Sequence, residues 1–295
     1  MAESLNSKNI TVQQTGKKSG KFVLFIRTGK NCPLCLEDYK DNEDIVVVLS
    51  RYQENSFPVA KEIWVTSGGL SKFDAARLFF HEFPEFMNCE AFAFFDPDVG
   101  ISFKNIHRLF QKGTMDRKEI YQAAVAPESH TVWKFLYTKN SPGWREVSFV
   151  EVMAPFFSRD ALASVVDGFS DSISTWGLEY VWYAKCKNSR IAVYDPIVMR
   201  HDTKVDTVDG PFYRYLAQMG INPSTELETL KEASVGRFYM ECETPPWVPL
   251  PAKKHYVRMM GMTRLVYRRL ESTRIWKSSD RLLAHALGNR LPKGR

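Results

Sequence analysis

Residues 90–100 read Glu-Ala-Phe-Ala-Phe-Phe-Asp-Pro-Asp-Val-Gly. Every position from Ala91 to Phe95 is apolar, so a strand built from this run must be covered on both faces, as in the parallel sheet of an α/β protein. Pro97 fixes its own φ and donates no hydrogen bond, which ends the strand and starts a turn. Asp96 and Asp98 therefore emerge at the carboxyl end of a buried strand, where open α/β sheets bind their ligands. Two carboxylates so close repel each other unless a cation lies between them. Hard oxygen ligands favour Mg²⁺ or Mn²⁺. Taken alone, an Asp-x-Asp after a strand is also what an Asp-capped turn looks like.

The neighbouring segments repeat the pattern. Phe22–Ile26 and Asp44–Leu49 read as further buried strands, and Glu62–Thr66 as a third that stops at Gly68-Gly69. From Ser71 to Phe83, Phe73, Ala76, Phe80 and Phe83 share one helical face, with Ser71 as N-cap. Lys104–Gln111 is a short helix and Tyr121–Val125 a strand. Residues 127–146 have no period and read as a loop, long enough to be an active-site flap or to hide a strand. Phe149–Pro155 reads as a strand and Ser158 caps a helix. Trp176-Gly177-Leu178-Glu179 opens another helix, and Ile191–Tyr194 is a strand that Ile197–His201 extends or follows. Alternating strands and helices predict an α/β domain with a mostly parallel sheet flanked by helices.

With 44% apolar and 25% charged residues, the chain can bury a sizeable core. No run is long and apolar enough for a membrane-spanning helix, and a cytoplasmic location is the default expectation. Residues 1–20 are polar and expected to be disordered. Residues 21–240 hold the domain, the prolines at 245, 246, 249 and 251 mark a linker over 241–252, and 253–295 form a basic tail. That tail has twelve Lys and Arg against Glu271 and Asp280, so it carries about +10 and the rest of the chain about −4. Only the tail calls for an acidic partner. Its arginines alternate with Met, Leu and Val, a pattern suited to an anionic membrane surface. Tyr256, Tyr267 and Trp276 could stack on bases, but the acidic body argues against nucleic acid. Cys32 and Cys35 have C-x-x-C spacing, yet the second pair that a structural zinc site needs is missing from the sequence.

Further polar residues stand beside strand ends or helix starts: Glu151, Glu179, His201, and Trp176 next to Gly177. Each also has an ordinary structural reading, as a satisfied buried acid, a helix-dipole acid, a hydrogen-bonded histidine and a packing aromatic. Residues 91–98, Phe149–Arg159 with its Glu-Val-Met-Ala-Pro, Trp176–Glu179, Val193-Tyr194-Asp195 and His201 together resemble a plant and bacterial family long catalogued as a domain of unknown function, which is similar to glycosyltransferases of the GT-A fold. The resemblance covers roughly residues 60–205. One departure is Glu179, where that family usually has Asp.

The resemblance implies a GT-A-like, Rossmann-related domain that moves a sugar from a nucleotide-sugar donor, with a UDP-sugar the first expectation, to a saccharide or lipid-linked acceptor. It implies Asp98, Asp96 and His201 on a divalent cation, Mn²⁺ or Mg²⁺, and Glu179 as the base for the acceptor hydroxyl. Glu151, Asp96, Trp176 and Gly177 would face the substrates. Bacterial surface polysaccharide synthesis, with the tail at the inner face of the membrane, is the expected setting. The competing expectation is a catalytically silent GT-A-like scaffold that docks through its tail.

Overall fold

The computed structural model describes residues 9–54, 56–131, 133–147, 149–186, 190–201, 203 and 210–234. In chain order the first strands are β1 (Thr11–Gln14), β2 (Phe22–Thr28), β3 (Ile45–Arg51) and β4 (Trp64–Ser67), followed by α1 (Lys72–Glu82). Then come β5 (Ala91–Phe95), β6 (Val99–Gly100), α2 (Phe103–Met115), β7 (Ile120–Val125), β8 (Trp144–Glu146) and β9 (Phe156–Ser158). The described part closes with α3 (Arg159–Val165), α4 (Leu178–Lys185), β10 (Ile191–His201), α5 (Pro211–Gln218) and α6 (Pro223–Ser234).

The strands form one mixed sheet in the order β1-β4-β3-β2-β5-β9-β7-β10-β6, with β8 also on β10. Strands β2, β3, β4 and β5 pair in parallel, as do β7 and β10. β9 runs antiparallel between β5 and β7. An α/β sheet of mostly parallel strands flanked by helices is the expected class, and its order suits a GT-A-like, Rossmann-related arrangement. The chain steps from β2 outward through β3 to β4, then returns to place β5 on the other side of β2. That reversal leaves a crevice at the carboxyl ends of β2 and β5.

The all-apolar strands are explained by two cores. Side chains alternate across a strand, so Phe22, Leu24 and Ile26 of β2 pack with α2 residues Phe103, Ile106 and Phe110. Val23 and Phe25 pack on the other face with Phe73 and Phe79 of α1, Leu162 of α3 and Trp182 of α4. Each fully buried Phe contributes on the order of 2–3 kcal/mol. Ser71 caps α1 by accepting from the Asp74 amide, and Asp74 in return accepts from the Leu70 amide at 2.9 Å.

Several expectations change. Thr11–Gln14 lies in the stretch expected to be disordered, yet it forms β1 and pairs with β4. Phe149–Pro155 is not a strand: Val152 and Met153 turn, Pro155 has no amide to donate, and the strand begins only at Phe156. Residues 127–146 do hide a strand, β8. Helix α2 runs longer than read, from the Ser102 cap to Met115, and α5 and α6 were not foreseen. The linker and the basic tail lie outside the described residues.

Candidate active site

The crevice between β2 and β5 opens where both strands end. Asp96 follows β5 directly and Asp98 lies two residues on. Lys72, the first residue of α1, reaches across with its ammonium 2.9 Å from Asp96 Oδ1. The same ammonium donates to the Val152 carbonyl at 2.5 Å and to the Met153 carbonyl at 3.2 Å. Lys72 is only 5% exposed, whereas the Asp96 side chain keeps 36% of its surface. Burial pushes Lys72 down and Asp96 up, and each is partly restored by the other's charge.

Asp98 is held by a different cation. Its Oδ2 is 3.3 Å from His201 Nε2, and His201 Nδ1 donates to the His130 carbonyl at 2.8 Å. The residue reaches this position because β10 is long: its far end pairs with β6, directly after the Asp-Pro-Asp turn. Burial alone disfavours a charged imidazole, but Asp98 and the His130 carbonyl outweigh it and raise the pKa to about 9. Burial likewise opposes the Asp98 charge, while His201 and the Thr203 hydroxyl hold its pKa below the ordinary carboxylate value.

Two further carboxyls behave differently. Glu151 accepts from the Thr131 hydroxyl at 2.7 Å, and its amide donates to the side-chain carbonyl of Gln122, buried in β7, at 2.8 Å. Burial raises its pKa, against the pull of Thr131 and His201. Glu179 sits in the first turn of α4 and is 9% exposed. The sequence suggests a carboxylate kept ionised by the helix N-terminus. The backbone amides do pull that way, but burial dominates, Glu151 adds repulsion, and the pKa rises to about 7. Glu179 thus shares its proton with water near neutral pH instead of being permanently charged.

Asp96, Asp98, Glu151, Glu179 and His201 fall into one electrostatically coupled group: His201 and Asp96 act on Glu151, and Glu151 acts on Glu179. Trp176 and Gly177 stand at its border. The Trp176 indole donates to the Tyr213 hydroxyl of α5 at 3.2 Å. Gly177 caps α4 with φ +89°, and a Cβ there would meet Leu230 at 3.1 Å, so only glycine suits this turn. Glu226 of α6 fastens the loop before them by accepting from the Ile173 amide at 3.0 Å and the Ser174 amide at 2.8 Å. Asp195 of the motif is fully occupied elsewhere, pairing with Arg145 at 3.2 Å and taking amides from Lys139 and Ser141.

The sequence reading missed Lys72 and Arg27. Arg27 lies at the end of β2, buried, donating to the Gly68 carbonyl at 2.6 Å and the Gly69 carbonyl at 2.8 Å; burial lowers its pKa to about 10. Both carried a signal. A lysine at the first position of a helix opposes the helix dipole, and an arginine closing an otherwise apolar strand has no place in a core.

Asp98 and His201 face each other as an ion pair, and a cation could be shared between them only with His201 deprotonated. Asp96 is tied to Lys72, and among the described residues no group of three or more His, Cys, Asp or Glu is spaced to hold an ion. Cys32 and Cys35 are free, one exposed and one buried, and burial pushes both thiols up, which makes them poor nucleophiles.

No protein-family model matches the chain, and no curated protein matches its sequence. The family resemblance therefore stands on the motifs alone. Among solved structures, residues 1–349 of the Staphylococcus aureus protein TarS are similar, with 11% identity and a TM-score of 0.42 over 80% of this chain and 77% of that one.

Proposed function

We propose that this chain is a glycosyltransferase that moves a sugar from a nucleotide-sugar donor to a hydroxyl of a saccharide or lipid-linked acceptor. The observation that carries the reading is the coupling of two unlike corners at the carboxyl ends of the strands. One holds fixed charge, with Asp98 on His201 and Asp96 on Lys72. The other holds Glu179, a buried carboxyl with a pKa of about 7. In a displacement with inversion the acceptor oxygen forms the new bond to the sugar carbon as the bond to the diphosphate breaks. The acceptor's proton needs a base, and a carboxyl poised near the working pH is suited to take it. Glu151, hydrogen-bonded to Thr131, would bind sugar hydroxyls, and Trp176 would wall one side of the sugar.

A divalent ion held by Asp98 and His201 would supply charge to offset the departing diphosphate. His201 must lose its proton to serve as a ligand, so ion binding would strengthen as pH rises toward 9. The tail at 253–295, with its excess of about +10, is the segment proposed to meet an anionic membrane; among the described residues no helix is long and apolar enough to cross one. Full-length protein should sediment with anionic vesicles and a chain ending at residue 252 should not; equal sedimentation would remove the tail from the proposal.

The direct test is thermal unfolding with a set of nucleotide sugars, with and without Mn²⁺. A ligand that binds only the folded state at a hundred times its Kd adds about 2.7 kcal/mol of stability. The expected result is a shift from one donor that grows with Mn²⁺ and is lost in Asp98→Asn. No shift from any donor would favour a silent scaffold.

A further inference from the structure

Helix α4, which carries Glu179 in its first turn, starts directly after a loop formed by residues 172–177. Two residues of that loop have positive φ, Thr175 at +70° and Gly177 at +89°. Glycine takes this region freely. A β-branched threonine there is an outlier, and it persists only where its surroundings hold it. Ser172 and Ser174 are 0% and 2% exposed, so their polar groups need partners inside the protein.

Those partners come from α6, 52 residues farther along the chain. The Glu226 carboxylate accepts from the Ser172 hydroxyl at 3.0 Å, the Ile173 amide at 3.0 Å and the Ser174 amide at 2.8 Å. The Ser174 hydroxyl in turn accepts from the Trp176 amide at 3.3 Å. Hydrogen bonds to an ionised group are the strong kind, and here three converge on one side chain. The next turn of α6 reaches the start of α4 itself. A Cβ on Gly177 would meet the Leu230 side chain at 3.1 Å and the Leu227 backbone at 3.3 Å. The Lys231 ammonium lies 5.6 Å from the ring centre of Tyr180, the residue after Glu179. Lys231 also acts on Glu179 as a cation, against the repulsion from Glu151. A helix that only packed would meet α4 through apolar side chains; α6 adds a carboxylate to the loop and a cation to the helix start.

We infer that α6 is the positioning element of the proposed base: Glu226 fixes the loop that sets where Glu179 stands, and Lys231 adjusts the charge around it. The inference rests on the reading of Glu179 as the group that takes the acceptor's proton. Glu226 and Lys231 are positioning residues, acting through Glu179. With the loop fixed, the first turn of α4 stays closed to water and the Glu179 carboxyl stays buried. With the loop released, water reaches that carboxyl and its burial is lost.

Carbon-13 NMR titration of the intact chain, labelled at its glutamate carboxyls, tests the inference, with Glu179→Gln to assign the signal. In the parent the Glu179 signal should change over near pH 7. Glu226→Gln replaces an accepting oxygen with a donating amide and cannot keep all three bonds. The Glu179 midpoint should then fall by about one pH unit or more, toward its ordinary 4.5. Lys231→Met keeps an apolar stem beside Tyr180 and removes the charge, so the midpoint should rise by a few tenths of a unit. General loosening would move both variants downward. Ser102→Ala serves as control: it removes the N-cap of α2, and should lower the melting temperature while leaving the Glu179 midpoint in place. An unmoved midpoint in folded Glu226→Gln, or a fall in both variants, would overturn the assignment. Should Glu226→Gln not fold, a Lys231→Met midpoint that stays or falls would overturn it as well. A parent midpoint near 4.5 would overturn it through Glu179 itself. The titration uses no sugar donor, so its failure is separable from failure of the transferase reading, which donor binding decides.

Discussion

The two corners of the crevice contain the same kind of side chain in opposite states. Asp96 and Asp98 each face a cation within 3.3 Å. Glu151 accepts from the Thr131 hydroxyl and Glu179 from backbone amides at the start of α4, and burial drives both upward. Charge is fixed in the first corner and proton affinity is tuned in the second. The difference lies in partners, since all four carboxyls are at least partly withdrawn from water. Pairs of titratable groups pushed apart in this way commonly divide into a charge holder and a proton carrier.

Converting Glu179 to an amide should give the largest effect. Glu179→Gln keeps the shape and removes the base, and turnover should fall by about 10² to 10⁴ with donor affinity kept. Glu179→Asp should be milder, because the carboxyl survives one methylene shorter. Steady-state turnover measured beside donor affinity decides the matter. Normal turnover in Glu179→Gln would reduce that residue to a helix-start acid and move attention to Glu151.

Breaking the other corner acts on stability. Lys72→Met strips Asp96 of its cation and leaves the Val152 and Met153 carbonyls without their donor. Removing one partner of a buried pair costs about 3–5 kcal/mol. Asp96 can still reach solvent, so a loss of about 2–4 kcal/mol in denaturant unfolding is expected. A change below about 0.5 kcal/mol would mean that the pair does not hold the turn.

A comparable effect, confined to one pH window, is the sharpest test of the contrast. Below pH 4.5 the Glu179 carboxyl is protonated both folded and unfolded. Between 4.5 and about 7 the unfolded chain ionises it and the folded chain does not. Stability from this group therefore falls as pH rises through that window and stays lower above it, by about 3 kcal/mol. Glu179→Gln should raise the melting temperature at pH 8 and leave it nearly unchanged at pH 4. An equal shift at both pH values would mean that burial does not perturb the carboxyl.

The strand cores, the Ser71 and Ser158 caps and the Asp-Pro-Asp turn were legible because each is set within a few residues of chain. Glu151, Glu179 and His201 were legible as residue types next to element ends. Phe149–Pro155 misled because its apolar residues imitate a strand, while the proline and a long-range bond from the Glu151 amide to Gln122 bend it into a turn. β1 and β8 were hidden because short polar strands form only against a neighbour already in place.

By itself, the sequence determined an α/β chain with paired carboxylates at the end of a buried strand and a strongly basic tail. Periodicity, proline and charge count are local properties, and they survive without a fold. Tertiary structure alone decided that Lys72 belongs to Asp96 and His201 to Asp98, across 24 and 103 residues of chain. It also decided that Glu179 is a near-neutral acid. A helix start predicts a lowered pKa from a few nearby amides, whereas desolvation depends on everything that packs over the group, and here desolvation is the larger effect.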